Sequence, residues 1–219
     1  MKSPAQISDI DVRAYFATPV VFAELENPEQ LNLELRDTIL SRRSEKTTVS
    51  NPAQNYWQSD WDFVSWGGEA SQRLLETFAV IGNNMTQIRP DDSGSQTREI
   101  PWSLNARAVV NSSGENDLLH AHPNCFWSGV YYVDDGGIAD DPSLAGELEL
   151  FDPRGSAPIM YNSTYRMNVP DGESAGGFHR IRPQNGLMIV FPSWLLHGVS
   201  LYQGTGTRIS IAINLFISR

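Results

Sequence analysis

The stretch Leu119–Tyr132, LHAHPNCFWSGVYY, carries two of the chain's four histidines, His120 and His122, one residue apart. On a strand, side chains two apart share a face, so both imidazoles can converge on one point unless the turn at Pro123 redirects the second. Neutral imidazole ligates zinc, iron and copper, so a metal centre is the chemical reading of the pair; two hydrogen-bonded or exposed histidines are the plain one. A third nitrogen favours the metal. In GLMIVFPSWLLHG, His197 follows an apolar run, a proline turn and Trp194. His179, after a glycine-rich loop and before Arg180, reads as surface. Arg208 stands eleven residues beyond His197, with Ser210 beside it in RIS; alone it would be an ordinary strand-end arginine. Asp117, three residues before His120, is too weakly placed to nominate as a ligand. Cys125 has no helix N-terminus or lysine beside it to lower its pKa and reads as a small apolar residue. In GELELF, Leu148 and Leu150 take the buried face, which turns Glu147 and Glu149 toward solvent.

These residues need a scaffold. From about Pro101 the chain is a series of short strand-like segments: WSLNARAVVN, FWSGVYYV, GELELFD, YRMNV, HRIRP, LMIVFP, GVSLYQ and RISIAINLF. They are rich in β-branched and aromatic residues and separated by Gly, Pro, Asp and Asn. Eight such segments with no helical period between them predict a mainly β fold, a double-stranded β-helix or jelly roll. The long connections 134–145 and 154–177 are where such a scaffold carries function. The first hundred residues differ. VRAYFATPVVFAEL reads as a strand broken by Pro19. Asn27-Pro28-Glu29-Gln30 reads as a helix start, followed by an apolar stripe at Leu31, Leu35 and Ile39. A second helix is predicted from Glu69 to Ile81, with Leu74, Leu75 and Phe78 inward and Gly82 as C-cap. Between them NYWQSDWDFVSWGG brings Trp57, Trp61, Phe63 and Trp66 together, either as core or as an aromatic lid. The expected organisation is one domain over 1–219: an N-terminal helical elaboration over 1–100, packed on one sheet, and a jelly-roll catalytic core over 101–219.

Composition sets outer bounds. The chain has 219 residues and a formal charge of −10. Phosphate binding needs clustered Lys and Arg, so nucleic acid is not the expected partner. One cysteine allows no intramolecular disulfide and fits a reducing compartment. The N-terminus lacks a basic segment followed by an apolar run, and the longest apolar run, Leu187–Leu196, is too short to span a bilayer. A cytoplasmic protein without membrane attachment is expected, its oligomeric state left open.

Together these residues resemble the Fe(II)- and 2-oxoglutarate-dependent oxygenases, from about Pro101 to the C-terminus. That family pairs an HxD motif in the middle of a jelly roll with a distal His and, about ten residues later, an Arg-x-Ser. The resemblance makes His120, His122 and His197 the metal ligands and catalytic centre, with Fe(II) as the metal. It assigns Arg208 and Ser210 to the distal carboxylate of the cosubstrate 2-oxoglutarate. GVYYV resembles the IYYL strand of prolyl hydroxylases, which adds Tyr132 to that carboxylate. HAHPN, SGVYY, FDPR and FPSWLLH are similar to an uncharacterised, mainly bacterial branch of the superfamily, without a known substrate; a small molecule, a peptide side chain and a nucleobase all suit the scaffold. The departure is His122, where Asp or Glu is usual. Three neutral ligands leave the metal one unit more positive.

Three other readings share the scaffold. A three-histidine cupin dioxygenase would need no 2-oxoglutarate, and hence no cation opposite the metal. A zinc hydrolase would need a general base beside it. A non-catalytic metal- or ligand-binding jelly roll would show no turnover.

Overall fold

The computed structural model describes residues 16–45, 56–88, 100–156 and 176–217, with Met160 and Thr164. Along the chain the elements are β1 (Val21–Glu24), α1 (Glu29–Glu45), β2 (Trp57–Gln58), α2 (Phe63–Trp66), α3 (Gly68–Asn84), β3 (Trp102–Asn111), β4 (Glu115–His120) and β5 (Trp127–Asp134). After a 3-10 turn at Pro142–Leu144 come β6 (Leu148–Phe151), β7 (Phe178–Ile181), β8 (Leu187–Pro192), β9 (His197–Tyr202) and β10 (Arg208–Ile217). The strands form two antiparallel sheets, six-stranded in the order β1-β8-β5-β10-β3-β2 and four-stranded in the order β4-β9-β6-β7. This is the mainly β jelly roll that the strand pattern predicts.

Alternation along β10, β3, β5 and β8 separates two environments. Ile209, Ile211, Ile213 and Leu215 of β10, with Ala106, Ala108 and Val110 of β3, Tyr131 and Val133 of β5 and Met188 and Val190 of β8, form one apolar cluster under the helices. Leu35 and Ile39 of α1 and Leu74 and Phe78 of α3 close it from outside, all fully buried. Each contributes about 1.5–3 kcal/mol of transfer free energy. The opposite face of the same sheet packs against the smaller sheet through Tyr132, Leu148, Leu150, Ile181, Ile189 and Phe191. Where β10 and β3 lie side by side, that inner face turns polar: Arg208, Ser210 and Asn214 beside Asn111, Arg107 and Asn105.

Several expectations are corrected. Gly82 is not a cap. It lies inside α3, where an added Cβ would come 2.2 Å from Leu215 Cδ1, so the missing side chain lets the helix settle on β10. Residues Glu115–His120 form a strand that the turn-rich sequence around them conceals. The HRIRP segment pairs as Phe178–Ile181, ahead of Pro183. YRMNV lies outside the described residues. Among the described residues no helix is long and apolar enough to cross a membrane.

Candidate active site

The register of β4 against β9 makes the first half of the site. His120 pairs directly with His197, and their ring centroids lie 4.4 Å apart. His122 arrives differently from the strand geometry expected for an HxH pair. β4 ends at His120, and His122 lies in the turn that follows, its N–H donating to the Ser193 carbonyl at 2.9 Å. The turn swings its ring back to 5.1 Å from His120 and 5.0 Å from His197, centroid to centroid. Each histidine offers one nitrogen, and the three nitrogens lie within 4.8 Å of one another. Gly198 permits the close approach of the strands: a Cβ there would meet the Asp117 carbonyl oxygen at 2.8 Å.

Hydrogen bonds fix which nitrogen each ring presents. Nδ1 of His120 lies 2.7 Å from the Leu118 carbonyl, and Nδ1 of His197 2.8 Å from the Leu195 carbonyl. A carbonyl only accepts, so Nδ1 carries the proton and Nε2 keeps the lone pair. His122 Nδ1 donates to Asn214 Oδ1 at 2.5 Å. That oxygen also accepts from Ser128 Oγ at 2.7 Å, while Asn214 Nδ2 donates to Asn105 Oδ1 at 3.0 Å. His122 Nε2 is buried with no hydrogen-bond partner. Burial, reinforced by the neighbouring imidazoles, lowers the His197 pKa to about 3. His122 is lowered too, by burial first, against the opposing effect of the hydrogen bond it donates to Asn214. Both rings are therefore neutral donors at ordinary pH.

At the far end of the cavity Arg208 is buried to 1% exposure. Its Nη1 donates to Asn111 Oδ1 at 2.9 Å and lies 3.4 Å from Ser210 Oγ, and its Cζ lies 5.3 Å from the Tyr132 ring centroid. No carboxylate of the described residues lies within ion-pairing distance of it. Its Nε and the Tyr132 hydroxyl are both buried and make no well-formed hydrogen bond, although the two side chains lie close enough for each to shift the other's pKa. A buried guanidinium with open donors is costly unless an anion joins it.

The Trp-rich segment does both jobs that its sequence allows. β2 pairs with β3, Trp57 against Val110 and Gln58 against Val109. Trp57 and Phe63 belong to the apolar core, with Trp66 packed against it. Trp61 instead lines the cavity and meets the His122 ring edge-on at 5.4 Å. The Tyr56 hydroxyl donates to Asp117 Oδ1 at 3.0 Å, which ties this edge of one sheet to β4 of the other. The enclosed space is ≈ 310 Å³.

All six residues singled out in the sequence, His120, His122, His197, Arg208, Ser210 and Tyr132, face this one cavity. His179 is exposed, as expected. Glu147 and Glu149 stand away from the histidines and face Arg180, with Glu149 Oε1 2.8 Å from Arg180 Nε. No general base for hydrolysis comes from them. Cys125 is half-buried and its thiol pKa is raised by that burial. Asn214, Arg107 and Asn111 were not singled out, and Trp61 was named only as part of the aromatic segment. The signal for the first three was present: polar residues at alternate positions of RISIAIN and NARAVVN mark an inward face too polar for a core. For Trp61 no sequence signal separates it from its core neighbours.

The arrangement can hold a divalent metal on three Nε2 atoms and an organic anion on Arg208. The unpartnered buried Nε2 of His122 fits the first occupant, and the buried Arg208–Tyr132 pair, with no carboxylate beside it among the described residues, fits the second. Comparison with known proteins points the same way. Residues 106–214 match a family model described as "Putative 2OG-Fe(II) oxygenase". No curated protein sequence matches the chain. Among solved structures, a prolyl-4-hydroxylase from Pseudomonas putida aligns with a TM-score of 0.58 at 15% identity, covering 91% of this chain and 93% of that one. A prolyl hydroxylase from Trichoplax adhaerens, in complex with a hypoxia inducible factor peptide fragment, gives 0.56 at 12% identity, covering 90% and 83%. A non-heme alpha ketoglutarate dependent carbocyclase from nogalamycin biosynthesis gives 0.60 at 8% identity, covering 90% and 79%. At these identities the structural likeness establishes the fold.

Proposed function

The jelly-roll core of this chain belongs to the 2OG-Fe(II) oxygenase family, and we propose that His120, His122 and His197 hold its Fe(II) while Arg208, Ser210 and Tyr132 bind 2-oxoglutarate. The chain is an Fe(II)- and 2-oxoglutarate-dependent oxygenase, which we read as a hydroxylase of a small molecule or a side chain. The observation that carries the assignment of residues is the pairing of two deficits in one cavity. Three ring nitrogens within 4.8 Å of one another need a cation, and a buried guanidinium without a carboxylate needs an anion.

Each residue has a definite task in this reading. The carbonyls of Leu118 and Leu195 hold His120 and His197 in the tautomer that leaves Nε2 free, and Asn214 does so for His122. Such outer partners fix ring orientation and raise ligand basicity. Arg208 supplies charge-assisted hydrogen bonds to the distal carboxylate, and Tyr132 Oη and Ser210 Oγ add neutral ones. Asn111 aims the guanidinium. Phe191, whose ring centroid lies 4.7 Å from that of His197, and Trp61 shield the imidazoles from bulk water. Iron and 2-oxoglutarate, when bound, supply the oxidising chemistry; the protein supplies position and exclusion of water. A cytoplasmic setting is supported by the single free cysteine, Cys125.

The test is an anaerobic titration of the purified chain with Fe(II), then 2-oxoglutarate, followed by visible absorption. A charge-transfer band should appear in the wild type. His197→Ala should bind no metal. Arg208→Met should bind metal and show the band only at much higher 2-oxoglutarate. A His122→Ala variant with unchanged metal content and turnover would remove His122 from the ligand set.

A further inference from the structure

A second guanidinium faces the same cavity, and the assignments above leave it unused. Arg107 lies on the inner face of β3 opposite Ala212. It stands four residues from Asn111, and so about 13 Å along the strand from the Arg208 end. Its Cζ sits 3.8 Å from the centroid of the Trp61 ring, and Trp61 touches His122. Nη1 is held by Gln58 Oε1 at 2.5 Å. No Asp or Glu of the described residues lies within ion-pairing distance of it. Arg107 is thus a planar fork, held by stacking on Trp61 and by Gln58, in the wall of the cavity that the three histidines also line.

The charges in the cavity make the same point independently. The charged side chains of its lining are Arg107, Arg208 and Asp117, and the exposed Asp60 carboxylate acts on Arg107 from outside that lining. Fe(II) and the 2-oxoglutarate dianion cancel, and Asp117 offsets one guanidinium. One positive charge remains. A carboxylate at position 122 would have removed it, and the imidazole of His122 does not.

We propose that Arg107, stacked on Trp61, binds a carboxylate of the primary substrate, a small organic acid, and holds it beside the three histidines; this rests on reading those histidines and Arg208 as the Fe(II) and 2-oxoglutarate sites. Stacking covers one face of the guanidinium, so a ligand meets its edge. A planar carboxylate matches that edge with two parallel hydrogen bonds. The ≈ 310 Å³ of space must also hold 2-oxoglutarate, so a small acid suits what is left beside the histidines.

The experiment uses the full chain loaded anaerobically with Fe(II) and 2-oxoglutarate. Hexanoate, benzoate, phenylacetate and N-acetylglycine are titrated beside their primary amides, with shifts of the absorption band and saturation-transfer NMR as readouts. At least one acid should bind tenfold or more tighter than its amide. Arg107→Gln should erase that difference and leave 2-oxoglutarate affinity within twofold; Arg107→Lys, with charge but no fork, should keep part of it. Parity of acids and amides in the wild type overturns the proposal, as does discrimination that survives in Arg107→Gln. A parallel loss of 2-oxoglutarate affinity in Arg107→Gln also overturns it and assigns Arg107 to the cosubstrate. If the band forms but no acid is preferred, only this proposal falls. If the band never forms, the metal and cosubstrate reading fails and takes this one with it.

Discussion

The two faces of β10 read as opposite instructions written on alternate residues. Outward, Ile209, Ile211, Ile213 and Leu215 are completely buried beneath the helices. Inward, Arg208, Ser210 and Asn214 are nearly as buried, yet Arg208 and Ser210 line a cavity and Asn214 holds His122 at its wall. Burial is the same and its purpose is not. On the outer face, apolar surface removed from water stabilises the fold. On the inner face, desolvated polar groups are kept under-satisfied, and a ligand completes them.

The largest effect should separate the faces most cleanly. Ile213→Ala removes fully buried methyl groups and should cost about 2–5 kcal/mol of stability. It should leave metal and 2-oxoglutarate affinity per folded molecule unchanged, measured by denaturant unfolding and by titration well below the melting point. Arg208→Met should do the reverse. Losing charge-assisted bonds to a carboxylate should weaken 2-oxoglutarate by about a hundredfold, corresponding to about 2.7 kcal/mol. Yet thermal melting of the metal-free protein should hold or rise, because an unpaired buried cation has gone. A clear drop in melting temperature would show that Arg208 serves the fold after all. Asn214→Ala should act between these extremes, weakening metal affinity by about tenfold to a hundredfold through the freed His122 ring. Metal content after dialysis against a graded chelator series reads this directly.

A further effect concerns pH. The folded-state pKa of His197, about 3, lies below its ordinary 6.5. Between those values the unfolded chain takes up a proton that the folded chain refuses. The metal-free protein should be fully stable in this respect above about pH 6.5 and lose stability on acidification toward 3, by up to roughly 1.4 kcal/mol per pH unit from this ring. Urea midpoints at pH 7 and pH 5, compared with those of His197→Gln, isolate it. A flat profile in the wild type would contradict the burial argument.

How much of this the sequence discloses follows the same division. The outer face is legible because apolar residues at period two, bounded by turn residues, have few alternative uses. His197, Arg208 and Ser210 are legible because they sit at the ends of such runs and in a known family pattern. His122 is only half legible. Spacing suggested a shared strand face, whereas the real cause is a backbone bond to Ser193, far along the chain. Arg107 is half legible too: the alternation of NARAVVN marks a polar face, and only the pairing of β3 with β10 shows that this face walls a cavity. Trp61 and Trp57 are four residues apart in one aromatic run, and only the pairing of β2 with β3 decides that one enters the core and the other the cavity.

The short bond between His122 and Asn214 spans ninety-two positions of sequence, yet the two residues behave as a single part. Shorten the ring to an aspartate and the amide loses its partner, while Ser128 and Asn105 still hold it in place. A carboxylate at position 122 would therefore leave the Asn214 oxygen one donor short, with the side chain's other two bonds intact.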